Sequence, residues 1–243
     1  MSTQPAAPSA VRPRRVVTDR RGGRSAPPYD TFNLGAHVGD DPAAVAANRS
    51  RVARELGVPE DHLVWMTQVH GTGVAVVDGP HSGPVPDVDA LVTATPGLVL
   101  CVLVADCVPV LLADPAAGVV AAVHAGREGV RKGVVPAALA AMTRLGARPG
   151  NTTALLGPAV CGACYEVPAA MQADVARVAP AAAVRTRKGT PGLDLRAGLA
   201  ERLHAAGVAE VVHDPRCTVE DPRLFSHRRD GVTGRQAGLV WLG

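Results

Sequence analysis

Three apolar runs in the middle of the chain constrain its fold more than any other feature: Leu98 to Ala105, Val108 to Ala113 and Val119 to Val123. The first holds no polar residue, the pattern of a strand buried on both faces. Val108 to Ala113 follows as a short strand, Asp114-Pro115 makes a turn, and Val119 to Val123 returns and ends at His124-Ala125-Gly126. A strand hidden on both faces needs a layer over each, so the chain must supply helices around its sheet system.

The flanking sequence supplies them. Pro42 to about Leu56 reads as a helix, with Asp41 as its N-cap, Pro42 at its first position and Gly57 as its stop. Val134 to Leu145, Pro168 to Val178 and a segment capped by Asp194 and running to Ala206 are further helices. Val11 to Thr18, Leu63 to Val69, Val74 to Val77, Thr153 to Leu156, Val208 to Val212 and Leu239 to Leu242 read as strands. Residues 1–10 read as a frayed tail, and no stretch resembles an interdomain linker, so residues 11–243 form one mixed α/β domain.

Composition narrows the class. With 243 residues, 47% of them hydrophobic, the chain can bury one sizeable core or two small ones. Aromatics are only 2%, so Ala, Val and Leu fill the interior through many small contacts. Six arginines cluster at Arg12, Arg14, Arg15, Arg20, Arg21 and Arg24 without interleaved aromatics, which fits a solvated segment leading into a strand better than a nucleic-acid arm. No apolar run reaches the roughly 18 residues of a membrane span. Met1 to Ala10 has no signal-like apolar stretch, and the five cysteines are an odd number. These features lead us to expect a cytoplasmic protein with no membrane or nucleic-acid partner.

Polar residues that end apolar strands are where chemistry is expected. His70, Cys107 and His124 all sit there. A His/His/Cys set can hold zinc with three protein ligands and leave the fourth position open, as catalytic zinc sites do. Spacing alone does not prove this, because it favours a core thiol and two histidines in unrelated roles. Asp106 beside Cys107 favours function, because a carboxylate after an apolar run is costly to bury without a partner or a task. Cys161-Gly162-Ala163-Cys164 is half of a structural zinc site, a redox pair, or a pair of loop thiols beside a glycine turn, and no second Cys-x-x-Cys exists. Ser226-His227-Arg228-Arg229-Asp230-Gly231 either grips an anion or forms a surface turn of paired charges. Gly-x-Ser-x-Gly, Gly-x-Gly-x-x-Gly and the phosphate-loop motif are absent.

Taken together, several segments resemble one family. They are Asn33-Leu34-Gly35, His37-Val38-Gly39-Asp40-Asp41, Thr67-Gln68-Val69-His70-Gly71 and Asp89-Ala90-Leu91-Val92-Thr93, then Ala105-Asp106-Cys107-Val108-Pro109 and Val123-His124-Ala125-Gly126. Gly157-Pro158-Ala159, Cys164-Tyr165-Glu166-Val167 and Phe225-Ser226-His227-Arg228-Arg229-Asp230-Gly231 complete them. The family is variously called laccase-domain, polyphenol oxidase or purine nucleoside phosphorylase proteins, and includes the bacterial peptidoglycan editing factor and the YfiH/YlmD-like proteins. The resemblance implies a four-layer αββα sandwich and zinc on His70, Cys107 and His124. It implies phosphorolysis of adenosine, inosine, guanosine and methylthioadenosine, and adenosine deamination. Purine nucleoside and phosphate are then the small-molecule partners, Cys107 and His124 are catalytic, and family position makes Arg228 the cation that meets phosphate.

Two stretches depart from the family pattern. His124-Ala125-Gly126-Arg127-Glu128-Gly129 stands where His-Ala-Gly-Trp-Arg-Gly is usual, and Cys161-Gly162-Ala163 where Gly-Pro-Cys is usual. A carboxylate at the usual Arg position would repel a bound anion if it faced the site. The alternatives are an amidase acting on wrongly built muramyl precursors of the cell wall, a non-enzymatic partner, and a copper polyphenol oxidase. The last is disfavoured because the eight histidines are scattered without a His-x-His pair, and no Met follows His124 until Met142.

Overall fold

The computed structural model describes residues 12–243, so the expected tail at residues 1–10 lies outside the described residues. The elements run in the order β1 (Pro13–Val17), α1 (Pro42–Leu56), β2 (Leu63–Val64), β3 (Val74–Val76), β4 (Ala90–Thr93), β5 (Val99–Val104), β6 (Val108–Asp114), β7 (Val119–Ala125), α2 (Arg127–Lys132) and α3 (Val134–Arg144). Then come β8 (Thr153–Leu156), α4 (Ala169–Ala176), β9 (Ala183–Arg185), β10 (Pro191–Leu193), α5 (Leu195–Ala205), β11 (Glu210–His213), α6 (His227–Asp230) and β12 (Gln236–Leu242). One sheet has the order β1-β12-β5-β2, a second β11-β8-β6-β7-β4-β3, and β9 and β10 form a separate hairpin.

Alternation along the strands builds four layers. Leu100, Val102 and Val104 of β5 face Leu111, Ala113, Val120 and Ala122 of the six-stranded sheet, which makes the inter-sheet core. Val99, Cys101 and Leu103 point the other way, against Val52 and Ala53 of α1. The outer face of the six-stranded sheet (Val92, Val110, Leu112, Ala121, Val123) packs on Val135, Ala138 and Met142 of α3 and Leu199 and Leu203 of α5. The order is therefore α1, four-stranded sheet, six-stranded sheet, then α3 to α5: the αββα sandwich. Both central strands are buried on both faces because each face meets a different layer.

The cap reading of α1 holds in detail. Asp41 accepts from the Ala43 amide at 2.9 Å, and Gly57 closes the helix at φ 69°, a left-handed conformation that favours glycine. The segment 63–69 differs from expectation, because only Leu63 and Val64 pair with β5. Further along, the Gln68 side chain takes over the pairing: its amide donates to the Leu103 carbonyl and accepts from the Leu103 amide, both at 2.8 Å. Among the described residues no helix is long and apolar enough to cross a membrane.

Candidate metal centre and its pocket

The antiparallel register brings the expected ligands together. Pro109 of β6 lies opposite His124 of β7, so Cys107, just before β6, meets the end of β7. β4 pairs with the other side of β7, Ala90 opposite Val123, which sets Asp89 beside His124. β3 runs parallel to β4, so the loop entering it, with His70, arrives at the same end. The Cys107 Sγ lies 3.9 Å from His70 Nε2, and the His70 and His124 rings stand edge to face at 4.7 Å between centroids. The three ligand atoms all lie within 4.8 Å of one another. Tetrahedral zinc with Zn–S of about 2.3 Å and Zn–N of about 2.0 Å needs ligand separations of roughly 3.3–3.8 Å, so a small inward shift of the side chains closes the set around an ion.

Asp89 is the residue that organises this centre, and sequence reading gave it no role. Its carboxylate is wholly buried and accepts from the amides of Val69 (3.2 Å), His70 (3.0 Å) and Gly71 (2.6 Å). It also accepts from His124 Nδ1 at 2.8 Å. That bond puts the His124 proton on Nδ1 and frees Nε2 for a metal, the carboxylate–histidine support of many metal sites. Burial alone would push the Asp89 carboxyl up, but His124 and the amides of Gly71 and Val69 outweigh it and hold it below the usual range. Burial likewise opposes charge on Cys107 and His124. Their mutual attraction prevails, bringing the thiol down to about 6 and the imidazole up to about 9. Each thus favours the charged form of the other, and a metal bound here would displace the remaining His124 Nε2 proton.

Local backbone shape follows from this crowding. A Cβ at Gly126 would stand 2.9 Å from the His70 ring and 3.0 Å from Cys107 Sγ, so the residue after the His124-Ala125 pair has to be glycine. His70 and Asp106 hold positive φ, 58° and 94°. The Asp106 conformation is secured by its carboxylate, which accepts from Thr218 Oγ1 (2.6 Å), Ser226 Oγ (2.7 Å) and the Arg228 amide (2.6 Å). Those are the partners that a carboxylate after an apolar run needed.

The centre opens into a cavity of about 410 Å³. Arg127, Arg228 and Arg235 line it together with Tyr165. The Arg228 guanidinium stacks 5.1 Å above the Tyr165 ring. Arg127 is ion-paired with Glu128, whereas among the described residues neither Arg228 nor Arg235 is in a salt bridge. Glu128 turns to the cations of α2, accepting from Arg131 at 2.9 Å and facing Lys132 at 3.9 Å, and it does not line the cavity. The two readings of the 226–231 cluster divide between neighbours. Arg228 faces the cavity, while Arg229 is tied to Asp230 and to the carbonyls of Thr218, Asp221 and Leu224. Arg235 and Asp89 went unassigned in the sequence. An acid one residue before the apolar Ala90–Val92 was the weaker signal for Asp89; Asp106 was the more conspicuous, because it follows an eight-residue apolar run.

Comparison with known proteins agrees with this architecture. Residues 14–243 match the family described as multi-copper polyphenol oxidoreductase laccase. The chain is 60% identical over 233 residues to the Mycobacterium tuberculosis protein named purine nucleoside phosphorylase Rv2149c, covering 96% of this chain and 93% of that one. It is 59% identical over 226 residues to purine nucleoside phosphorylase SCO2081 of Streptomyces coelicolor, covering 93% of each. Among solved structures, Neisseria meningitidis protein NMB0706 superposes with a TM-score of 0.86 at 38% identity, covering 97% of this chain and 96% of that chain. YlmD from Geobacillus stearothermophilus superposes with a TM-score of 0.87 at 33% identity, covering 97% and 94%. With nearly its whole length matched in sequence and fold, the chain belongs to the multi-copper polyphenol oxidoreductase laccase family, alongside relatives named purine nucleoside phosphorylase.

Proposed function

We propose that the protein is a zinc-dependent purine nucleoside phosphorylase, acting on adenosine, inosine, guanosine and methylthioadenosine, that also deaminates adenosine. The observation that carries this reading is the meeting, in one cavity of about 410 Å³, of a three-ligand His/His/Cys set with two guanidiniums, Arg228 and Arg235, that make no salt bridge among the described residues. That volume is ordinary for a small-molecule site, and the names of the relatives at about 60% identity supply the substrate class. His70, Cys107 and His124 hold the zinc, and Asp89 orients His124 and braces the His70 loop. Bound there, zinc supplies Lewis-acid polarisation of a substrate oxygen or of water.

The remaining work falls to the chain. Arg228 and Arg235 grip phosphate through charge-assisted hydrogen bonds, with Arg127 at the same cavity. A held phosphate oxygen displaces the purine at the ribose C1′, and the base leaves with the bonding electrons. The Tyr165 ring and the apolar Leu103, Val160 and Leu195 give the nucleoside a dry surface to pack on. The test is direct. Zinc-loaded protein with inosine releases hypoxanthine and ribose 1-phosphate only when phosphate is present, and with adenosine it releases ammonia without phosphate. Fully loaded protein with no turnover of either nucleoside at any phosphate concentration overturns the reading.

A further inference from the structure

We propose that Cys161, Cys164, Cys217 and Glu220 hold a second metal ion, a structural zinc that clamps two loops at the rim of the pocket. The sequence shows one Cys-x-x-Cys pair and no other, but the fold sets a matching half against it, Cys217-x-x-Glu220. The two halves are the same turn. In one, the amides of Cys164 and Tyr165 both donate to the Cys161 carbonyl at 3.0 Å; in the other, the amides of Glu220 and Asp221 donate to the Cys217 carbonyl at 3.1 and 2.8 Å. Each turn presents ligands at positions i and i+3 on one side. A parallel bridge between Ala159 and Cys217 docks the turns together.

The donor atoms converge. All four lie within 4.8 Å of one another, with Cys164 Sγ 3.3 Å from Glu220 Oε1. The Cys161 amide donates to Cys217 Sγ at 3.3 Å, a bond that favours a sulfur carrying negative charge. Three thiolates and a carboxylate around a dication leave a net charge of about −2, and Arg187 is placed to offset it. Its guanidinium pairs with Glu220 and reaches Cys164 Sγ at 3.9 Å. A sulfur-rich set of four protein ligands suits zinc and leaves no open position, so the ion is structural. The centre at His70, Cys107 and His124, with three ligands and a cavity beside it, is the open kind.

The position gives the clamp a purpose. Val160 and Tyr165, on either side of the first turn, line the cavity. The Val160 amide donates to the Asp106 carbonyl at 3.1 Å, and Thr218, next to Cys217, donates to the Asp106 carboxylate. Locking the two turns therefore sets the wall that faces the first centre. Zinc binding here displaces the thiol protons to solvent and needs no oxidant.

Metal analysis of protein refilled with zinc under reducing conditions tests this without reference to turnover. The wild type should hold two zinc ions per chain, Cys107→Ala one, Cys164→Ser one, and the double variant none. In the Cys107→Ala background, cobalt in place of zinc should give a sulfur-to-cobalt charge-transfer band that disappears on adding Cys164→Ser. Glu220→Gln, a surface change that leaves the fold intact, should release this ion to a competing chelator at least tenfold more readily. The proposal is overturned if folded Cys107→Ala binds no metal, if Glu220→Gln leaves chelator competition unchanged, or if peptide mapping of unreduced native protein finds two of these cysteines joined as a disulfide. Absence of nucleoside turnover would remove the proposed activity and leave these counts as they are.

Discussion

The wall of the pocket that carries Cys107 and His124, backed by the buried Asp89, is made of strand ends inside a six-stranded sheet. A second wall, with Arg127, Tyr165, Arg228 and Arg235, is made of short helices and loops. On the first wall the side chains are positioned by hydrogen-bonded register, and Asp89 alone accepts four hydrogen bonds. On the second, Arg228 is fixed through its amide on Asp106 while its guanidinium rests on Tyr165. Metal ligands tolerate errors of only a few tenths of an ångström, and a sheet provides that precision. An anion grip works from several directions, because charge attracts over longer distances. On the proposed reading, this lets Arg127-Glu128 stand where the family pattern expects Trp-Arg. The substitution falls on α2, where Arg127 faces the cavity and Glu128 is absorbed by Arg131 and Lys132.

If the walls differ in this way, substitutions on the sheet side should be the more damaging. Cys107→Ala is expected to have the largest effect: the ion of this centre is lost and nucleoside turnover falls to background, checked by metal analysis and product chromatography on protein whose circular dichroism is unchanged. Full metal retention by this variant would break the ligand assignment. Asp89→Asn comes next. It keeps the shape but loses the charge that supports His124, so metal affinity should fall by about 10–100-fold in a chelator competition.

On the loop wall, Arg228→Ala should raise the phosphate KM by about tenfold or more, roughly 1.4 kcal/mol for one charge-assisted contact, with the metal content intact. An equal loss of metal would show that the two walls are not independent. The smallest effect belongs to Glu128→Gln, about 1 kcal/mol or less by urea unfolding, because its ion pairs are partly exposed. The hydrogen bond from Arg131, with the charges of Arg127 and Lys132, holds the Glu128 carboxyl below its ordinary range. Its contribution is thus present above the unfolded value of about 4.3 and is lost as pH falls through the lower folded value. Wild type and variant should converge in stability once the pH falls below that folded value.

Much of the fold was legible because burial leaves a mark on every residue it touches. The apolar runs 98–105, 108–113 and 119–123 became β5, β6 and β7, and Asp41, Pro42 and Gly57 delimited α1 as local capping chemistry requires. The strand expected over 63–69 is shorter in the structure because an apolar stretch does not reveal which backbone groups find partners, and here the Gln68 side chain replaces the ladder. The short strands β9 and β10 and the four-residue helix α6 carry too few residues for any period to register.

The candidate centre divides along the same line. The sequence by itself determined which residues could serve as ligands, because a thiol or an imidazole at the end of an apolar strand is chemically conspicuous: His70, Cys107 and His124 were singled out that way. Only the tertiary structure decided that they meet, that Asp89 braces two of them, that Glu128 turns from the cavity while Arg127 enters it, and that Cys217 and Glu220 complete the pair begun by Cys161 and Cys164. The physical reason is distance along the chain. Capping and burial act over a few residues and are written locally. The approach of Cys161 to Cys217, or of His70 to His124, depends on strand pairing and docked turns, and no single segment encodes these.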